Sequence, residues 1–247
     1  MKKTLSVVLS SVMAAALFLP SNVTAAKYQE VEVTNGGTIS GQITFTGKDP
    51  APKTYTITKD TDTCGTGIRE VDYVRVNDGA LNNAVVYLKK VKKGKAWPKG
   101  VKDTEVNQKG CEFLPFLTVM ANKGNLTAVN SDKVAHNIHT YELIGKVRKG
   151  KINVSQPKPG SITKKVKLKK GAGMKVECDQ HDFMHSFVFV ARNPYFAVVD
   201  QNGKYEIKDI PPGKYTVKTW HGTLRAKRKK VKITAGGATT VNFKYKK

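Results

Sequence analysis

The chain has 247 residues, with 43 lysines and arginines against 19 aspartates and glutamates, giving a formal net charge of +24. A hydrophobic content of 39% excludes a disordered tail, and 21 glycines are too few for a collagen-like repeat. Three cysteines cannot scaffold a miniprotein of this length, so the chain must bury a core, as one large domain or two small ones.

At the N-terminus, Lys2 and Lys3 precede an apolar run from Leu5 to Leu19 that Pro20 ends. Val23-Thr24-Ala25 or Thr24-Ala25-Ala26 then offers a small-residue cleavage pattern. Residues 1–26 therefore read as a signal peptide cleaved near Ala25/Ala26, since the run falls short of the about 20 residues of a membrane span. Its dilysine start and alanine-rich core imply bacterial export to the periplasm. Loss of Lys2 and Lys3 leaves a net charge of +22.

Export decides how the cysteines are read, because an oxidising compartment permits disulfides. Cys64 and Cys111 both lie in glycine-flanked, loop-like sequence and are expected to pair. Cys178 is then left over, and a free thiol in such a compartment needs protection, which metal ligation provides.

After residue 26 no heptad and no long 3.6-residue period occurs. Short alternating segments dominate: Ile39–Phe45, Val166–Leu168, Met174–Cys178 and Tyr215–Thr219. Turn signals stand at Asn202-Gly203 and Pro211-Pro212-Gly213. The expectation is an all-β protein of sandwich type. The lysine-rich stretch 89–103, with Gly94, Pro98 and Gly100, reads as a linker, and the composition shifts again near Asn193-Pro194.

Four of the five histidines and Cys178 fall between those two boundaries. They form two clusters, Asn130-Ser131-Asp132-Lys133-Val134-Ala135-His136-Asn137-Ile138-His139 and Cys178-Asp179-Gln180-His181-Asp182-Phe183-Met184. Thiolate, imidazole and thioether together are a copper-type donor set, since soft sulfur favours Cu(I) and imidazole suits both oxidation states. One loop can supply three of these donors, while the other histidine must come from a second strand. His136 and His139, three apart on a strand, point to opposite faces and are unlikely to share one metal. His136, following a loop, is the better candidate, with His139 its rival.

The flanking pieces, Gly37–Ile43 with Ala84–Leu88 and Val199–Ile207 with Ile210–Val217, resemble the strands of a prealbumin-like (carboxypeptidase regulatory) domain. The stretch between them, covering about residues 105–192, resembles the cupredoxins, especially the amicyanin and plastocyanin branch. The resemblance rests on Asn-x-Asp…His-Asn-Ile-His and on Cys-x-x-His-x-x-Met followed by Phe187-Val188-Phe189-Val190. Together these imply a Greek-key cupredoxin sandwich over 103–192 inserted in a split prealbumin-like domain, 27–102 plus 193–247. The alternative is an N-terminal extension with a separate small C-terminal domain.

The cupredoxin resemblance implies one type 1 copper ion held by His136, Cys178, His181 and Met184, with Met184 the weak axial ligand. It also implies that Asn137 brings its backbone N–H to the Cys178 sulfur and ties the two ligand loops together. Two departures are visible. Asp179 and Gln180 stand where the family often has a proline, and the segment from Tyr141 to Pro159 is longer than in small cupredoxins. The expected function is periplasmic one-electron transfer, without enzymatic activity, with electrons leaving by the outer edge of His181. A copper-delivery protein without redox turnover is the alternative. Five histidines cannot supply the trinuclear cluster of a multicopper oxidase, and a zinc site of Cys178 with three histidines conflicts with strand parity. Phe183 and Phe187 most simply pack near the site, with an apolar partner-facing patch at Phe183 as the alternative, and His185 and His221 are expected to be exposed and structural, respectively. The positive charge points to a redox partner with an acidic face, such as a c-type cytochrome or a periplasmic oxidoreductase. An anionic membrane surface is a second contact the charge allows; nucleic acid is not expected after export.

Overall fold

The computed structural model describes residues 28–246, so the proposed signal peptide lies outside the described residues. Apart from one four-residue helix, Thr61–Cys64, the regular elements are strands. Their alternation is the alternation of the sequence. In Gly37–Thr46 the side chains of Ile39, Ile43 and Phe45 turn inward while their neighbours are partly exposed.

Two pairs of sheets result. The first pair contains a four-stranded sheet in the order Phe196–Val198, Ala84–Lys89, Gly213–His221, Arg228–Ile233. Facing it, Gly37–Thr46 pairs with Lys204–Ile210 and Ala80–Leu81 along one edge and with Ala238–Thr240 and Phe243–Lys246 along the other. Their common core holds Ile39, Ile43, Leu81, Leu88, Ile207 and Val217. The second pair is drawn wholly from residues 103–191. One sheet runs Phe113–Leu114, Asp103–Gln108, Asn125–Asn130, Gly160–Lys165. The other runs Leu117–Ala121, His185–Ala191, Gly173–Glu177, His136–Ile144, Val147–Gln156. Val106, Leu126, Ile138, Val176 and Val188 fill the space between them.

The strand His185–Ala191 is buried on both faces. Val188 and Val190 enter their own core, while Phe187, Phe189 and Ala191 pack against Val85 and Trp220 of the first sheet pair. Burying a phenylalanine contributes about 1.5–3 kcal/mol, so this aromatic seam joins the two units firmly. The stretch expected to be a linker is only partly so. Lys93–Gly94 forms a short parallel ladder with Gln29–Glu30, and the loop character begins after it.

One excursion crosses between the units. The hairpin of Lys53–Ile57 and Gly67–Val71 encloses the helix Thr61–Cys64. Instead of closing on the first core, Tyr55, Ile57, Cys64 and Val71 join the second, alongside Cys178, Phe183 and Met184. Cys64 is disulfide-bonded to Cys111, and Cys178 is free and buried. The expected pairing is therefore present. Replacing Cys64 and Cys111 with serine removes a crosslink spanning 47 residues, worth about 4 kcal/mol on the chain-entropy model. The urea midpoint of that variant should drop accordingly. Unreduced peptide mapping of the native chain should recover Cys64 and Cys111 as one crosslinked pair; an equal midpoint would show the crosslink to be thermodynamically idle.

His221 is a buried structural residue. Its Nδ1 accepts from the Thr223 and Leu224 N–H groups (3.2 and 3.3 Å), which leaves the proton on Nε2. Burial pushes its pKa down to about 4 from the ordinary 6.5. Between those values the unfolded chain takes up a proton that the folded chain refuses, so stability falls as pH drops from 6.5 towards 4. The loss should be on the order of 3 kcal/mol. Urea titrations at several pH values should show it, and a His221→Asn variant should reduce the slope in that window by His221's share.

Candidate metal centre

His136 opens its strand after a turn that Asn130 builds. The buried Asn130 side chain donates to the Val134 and Gln156 carbonyls (3.0 and 3.1 Å), and its Oδ1 accepts the Asp132 N–H (2.9 Å). That turn aims the Asp132 carboxylate. Oδ1 accepts the Gly110 N–H (2.8 Å), and Oδ2 accepts the Cys111 N–H and His136 Nε2–H, both at 2.9 Å. Burial opposes ionisation of Asp132, but these donors outweigh it and hold the carboxyl below its usual range.

Cys178 ends the strand Gly173–Glu177, and the loop it opens returns on itself. The Met184 N–H donates to the His181 carbonyl (3.0 Å), and the Cys178 N–H to the Met184 carbonyl (3.4 Å). His181 is only 1% exposed. Its Nε2–H donates to Asp60 Oδ2 (2.9 Å), and burial lowers its pKa against the opposing pull of that carboxylate. Asp60 comes from the excursion, in the left-handed conformation (φ 52°) that aspartate tolerates better than most residues.

With both outer nitrogens held against carboxylates, the two Nδ1 atoms turn inward. They lie 3.1 Å apart and 3.9 and 3.8 Å from Cys178 Sγ. Burial raises the Cys178 thiol pKa against the opposing donation of the Asn137, Gln180 and His181 N–H groups. Two ring nitrogens converging on a buried sulfur could hold a metal ion, and imidazole with soft sulfur is a donor chemistry that would fit copper. Met184 is buried in the same cluster.

The expected Asn137 contacts are present. Its N–H donates to Cys178 Sγ (3.4 Å), its Nδ2 donates to Asn153 Oδ1 and Asp179 Oδ2 (both 2.9 Å), and its Oδ1 accepts the Asp179 N–H. His139 faces the other way, as strand alternation requires, and meets Asp179 at 3.0 Å. Cys64 and Cys111 also lie near His181, but sulfurs joined to each other offer no thiolate.

Two expectations fail here, and of the two readings of Phe183 the packing one holds. The outer edge of His181 is not free but covered by Asp60 and the helix behind it. Phe183 is buried, with the Arg69 guanidinium 5.4 Å from its ring centre, so it offers no apolar patch to a partner. His185 is largely enclosed rather than exposed; its Nε2 meets the Tyr55 hydroxyl at 3.0 Å, and burial pushes its pKa down to about 4. Asp60 and Asp132 are the site residues that sequence reading did not single out. Asp132 stood inside the first histidine cluster, whereas nothing near Asp60 marked it.

Comparison with protein families matches residues 180–241 to a model described as polysaccharide lyase family 4, domain II. Comparison with curated protein sequences gives no match. Among solved structures, the chain is similar to a purple cupredoxin from Nitrosopumilus maritimus, at 15% identity over 36% of this chain and 100% of that one (TM-score 0.31). It is also similar to amicyanin from Paracoccus versutus, at 17% identity over 44% of this chain and 99% of that one (TM-score 0.30). A copper-containing nitrite reductase from Thermus scotoductus matches at 14% identity over 42% of this chain and 24% of that one (TM-score 0.29). These are distant likenesses. The chain is an all-β protein with a buried His/Cys cluster of metal-binding composition.

An Asp132→Asn variant tests the site's construction. It keeps the volume but sets an amide NH₂ against a backbone N–H donor. Metal affinity should fall about 10- to 100-fold, as for other groups that orient a ligating histidine. A chelator-competition titration reads it, and an unchanged affinity would show that Asp132 does not orient His136.

Proposed function

We propose that this chain is a one-electron carrier holding a single copper ion on His136, Cys178 and His181, with Met184 as the weak axial ligand. The observation supporting it is the pair of histidine Nδ1 atoms turned towards each other and towards a buried cysteine sulfur. Copper bound there supplies a Cu(II)/Cu(I) couple. The chain's own part is to hold the donors still. Asp132 and Asp60 fix the two imidazoles, the Asn137 N–H orients the sulfur, and the surrounding core excludes water. A donor set that scarcely moves between oxidation states favours electron transfer.

The enclosure also argues against the neighbouring readings. Delivery of copper needs ligand exchange with a recipient, and catalysis needs a position open to substrate. Both His181 and Cys178 lie beneath other chain segments. The cupredoxin-like unit over 103–192 is read as an insertion in the split unit 27–102 plus 193–247. The place of work is the periplasm, and the partner is a redox protein with an acidic face.

The copper-loaded, oxidised protein should be intensely coloured and bind one copper per chain. Cys178→Ser should abolish the colour, because the thiolate–Cu(II) bond produces it. Met184→Leu should keep copper and shift the reduction potential, since the axial bond is weak. Normal colour in Cys178→Ser would overturn the assignment.

A further inference from the structure

We infer that electrons enter and leave not over His181 but through the surface formed by Asp179, His139, Tyr141 and Arg148, which docks the acidic face of a redox protein. This rests on the electron-carrier reading above. The His181 end is closed by three independent ties. Asp60 holds Nε2, Ile57 and Cys64 enter the same core as the site, and the Cys64–Cys111 disulfide fastens the excursion down. A partner at that end is kept from the imidazole by a layer of chain.

On the other side, a continuous run of groups leads outward from the sulfur. Asp179 is bonded covalently to Cys178. Its carboxylate accepts from His139 Nδ1–H at 3.0 Å, and from Asn137 and Asn153 at 2.9 and 3.3 Å. The His139 ring stacks on Tyr141, with centroids 4.2 Å apart and planes 28° from parallel. The Arg148 guanidinium sits 4.1 Å from the Tyr141 ring centre. Asp179 and Arg148 are each close to half exposed, at 47% and 43% of their side chains.

The position of this surface in the sheet also suits docking. The outward face of the five-stranded sheet is covered at His185–Ala191 by Val85 and Trp220. The part carrying His139 and Tyr141 is only partly buried. The hairpin beside it, residues 145–151, contains Lys146, Arg148, Lys149 and Lys151 and no acidic residue. Glu177 offsets Arg148 and Lys175, and Glu142 lies 3.8 Å from Lys151, whereas Lys146 and Lys149 are exposed. An aromatic and arginine centre with a basic rim fits a partner of opposite charge, which such fields steer into place.

The test follows one electron from Cu(I) in the full copper-loaded chain to hexacyanoferrate(III), an anionic probe that is reduced to hexacyanoferrate(II). Stopped-flow rates are measured at an ionic strength of about 0.1 M, where each charge acts over only about 10 Å. A Lys146→Glu/Lys149→Glu variant should react about tenfold more slowly. Lys59→Glu, a charge reversal beside Asp60, should stay within about twofold of the native rate. The blue band checks that each variant is folded and loaded. If Lys59→Glu slows as much as the hairpin variant, or more, the surface is wrong and the carrier reading stands. If the native chain takes up no copper or shows no reversible colour change, the carrier reading fails and the surface fails with it.

Discussion

The site depends on one covalent constraint, the bond between Cys64 and Cys111. Cys64 ends the short helix that Asp60 precedes, and Asp60 holds the outer nitrogen of His181. The Cys111 N–H holds Asp132, which holds the outer nitrogen of His136. One crosslink therefore anchors both carboxylates that orient the inner imidazole faces. Without it, the helix would stay in place through the burial of Tyr55, Ile57 and Val71 and through Arg69, which donates to Glu112 and to the Cys64 carbonyl. Both carboxylates would then be held less firmly, and with them the orientation of the two rings. The constraint is thus less a global staple than a device for setting two ring orientations at once.

Much of this was legible in the chain. Period-two alternation announced the strands, and the spacing of Cys178, His181 and Met184 marked the loop that buries all three. The parity of His136 and His139 separated the inward from the outward ring. Asn137 was legible only through family resemblance. Asp60 was not legible at all, because it lies 121 residues from the histidine it meets and sits in a segment with no distinctive pattern. The same gap explains why the expected exit over His181 and the expected exposure of His185 fail, since both hold only if the loop 178–184 is the end of the molecule. The hairpin 53–71 covers that end, and its docking is a tertiary choice made by buried contacts of Tyr55, Ile57 and Val71 rather than by any local signal.

The excursion can act as a lid only if the two units keep a fixed relation, and the crossing points show how they do. The chain leaves the first unit after Gly94 and returns at Asn193. Asn193 Nδ2 donates to the Leu88 carbonyl at 2.9 Å. The Tyr195 hydroxyl accepts the Lys95 N–H and donates to the Asp209 carbonyl, each at 2.9 Å. Tyr28 closes the same corner by donating to the Lys95 carbonyl at 2.7 Å. Gly94 is required there, since a β-carbon would stand 2.1 Å from the Tyr195 hydroxyl. Departure and return strands are therefore sewn side by side at one place, and the aromatic seam of Phe187, Phe189 and Trp220 fixes the rotation about it. Two units joined at one corner and along one seam have little freedom left. A hairpin reaching from one of them can then hold a carboxylate within hydrogen-bond distance of a ligand in the other. That reach needs no flexible linker and would fail with one. The rigidity that the carrier reading asks of the donor set is thus continued outward, through Asp60 and the disulfide, into the way the two sandwiches are joined.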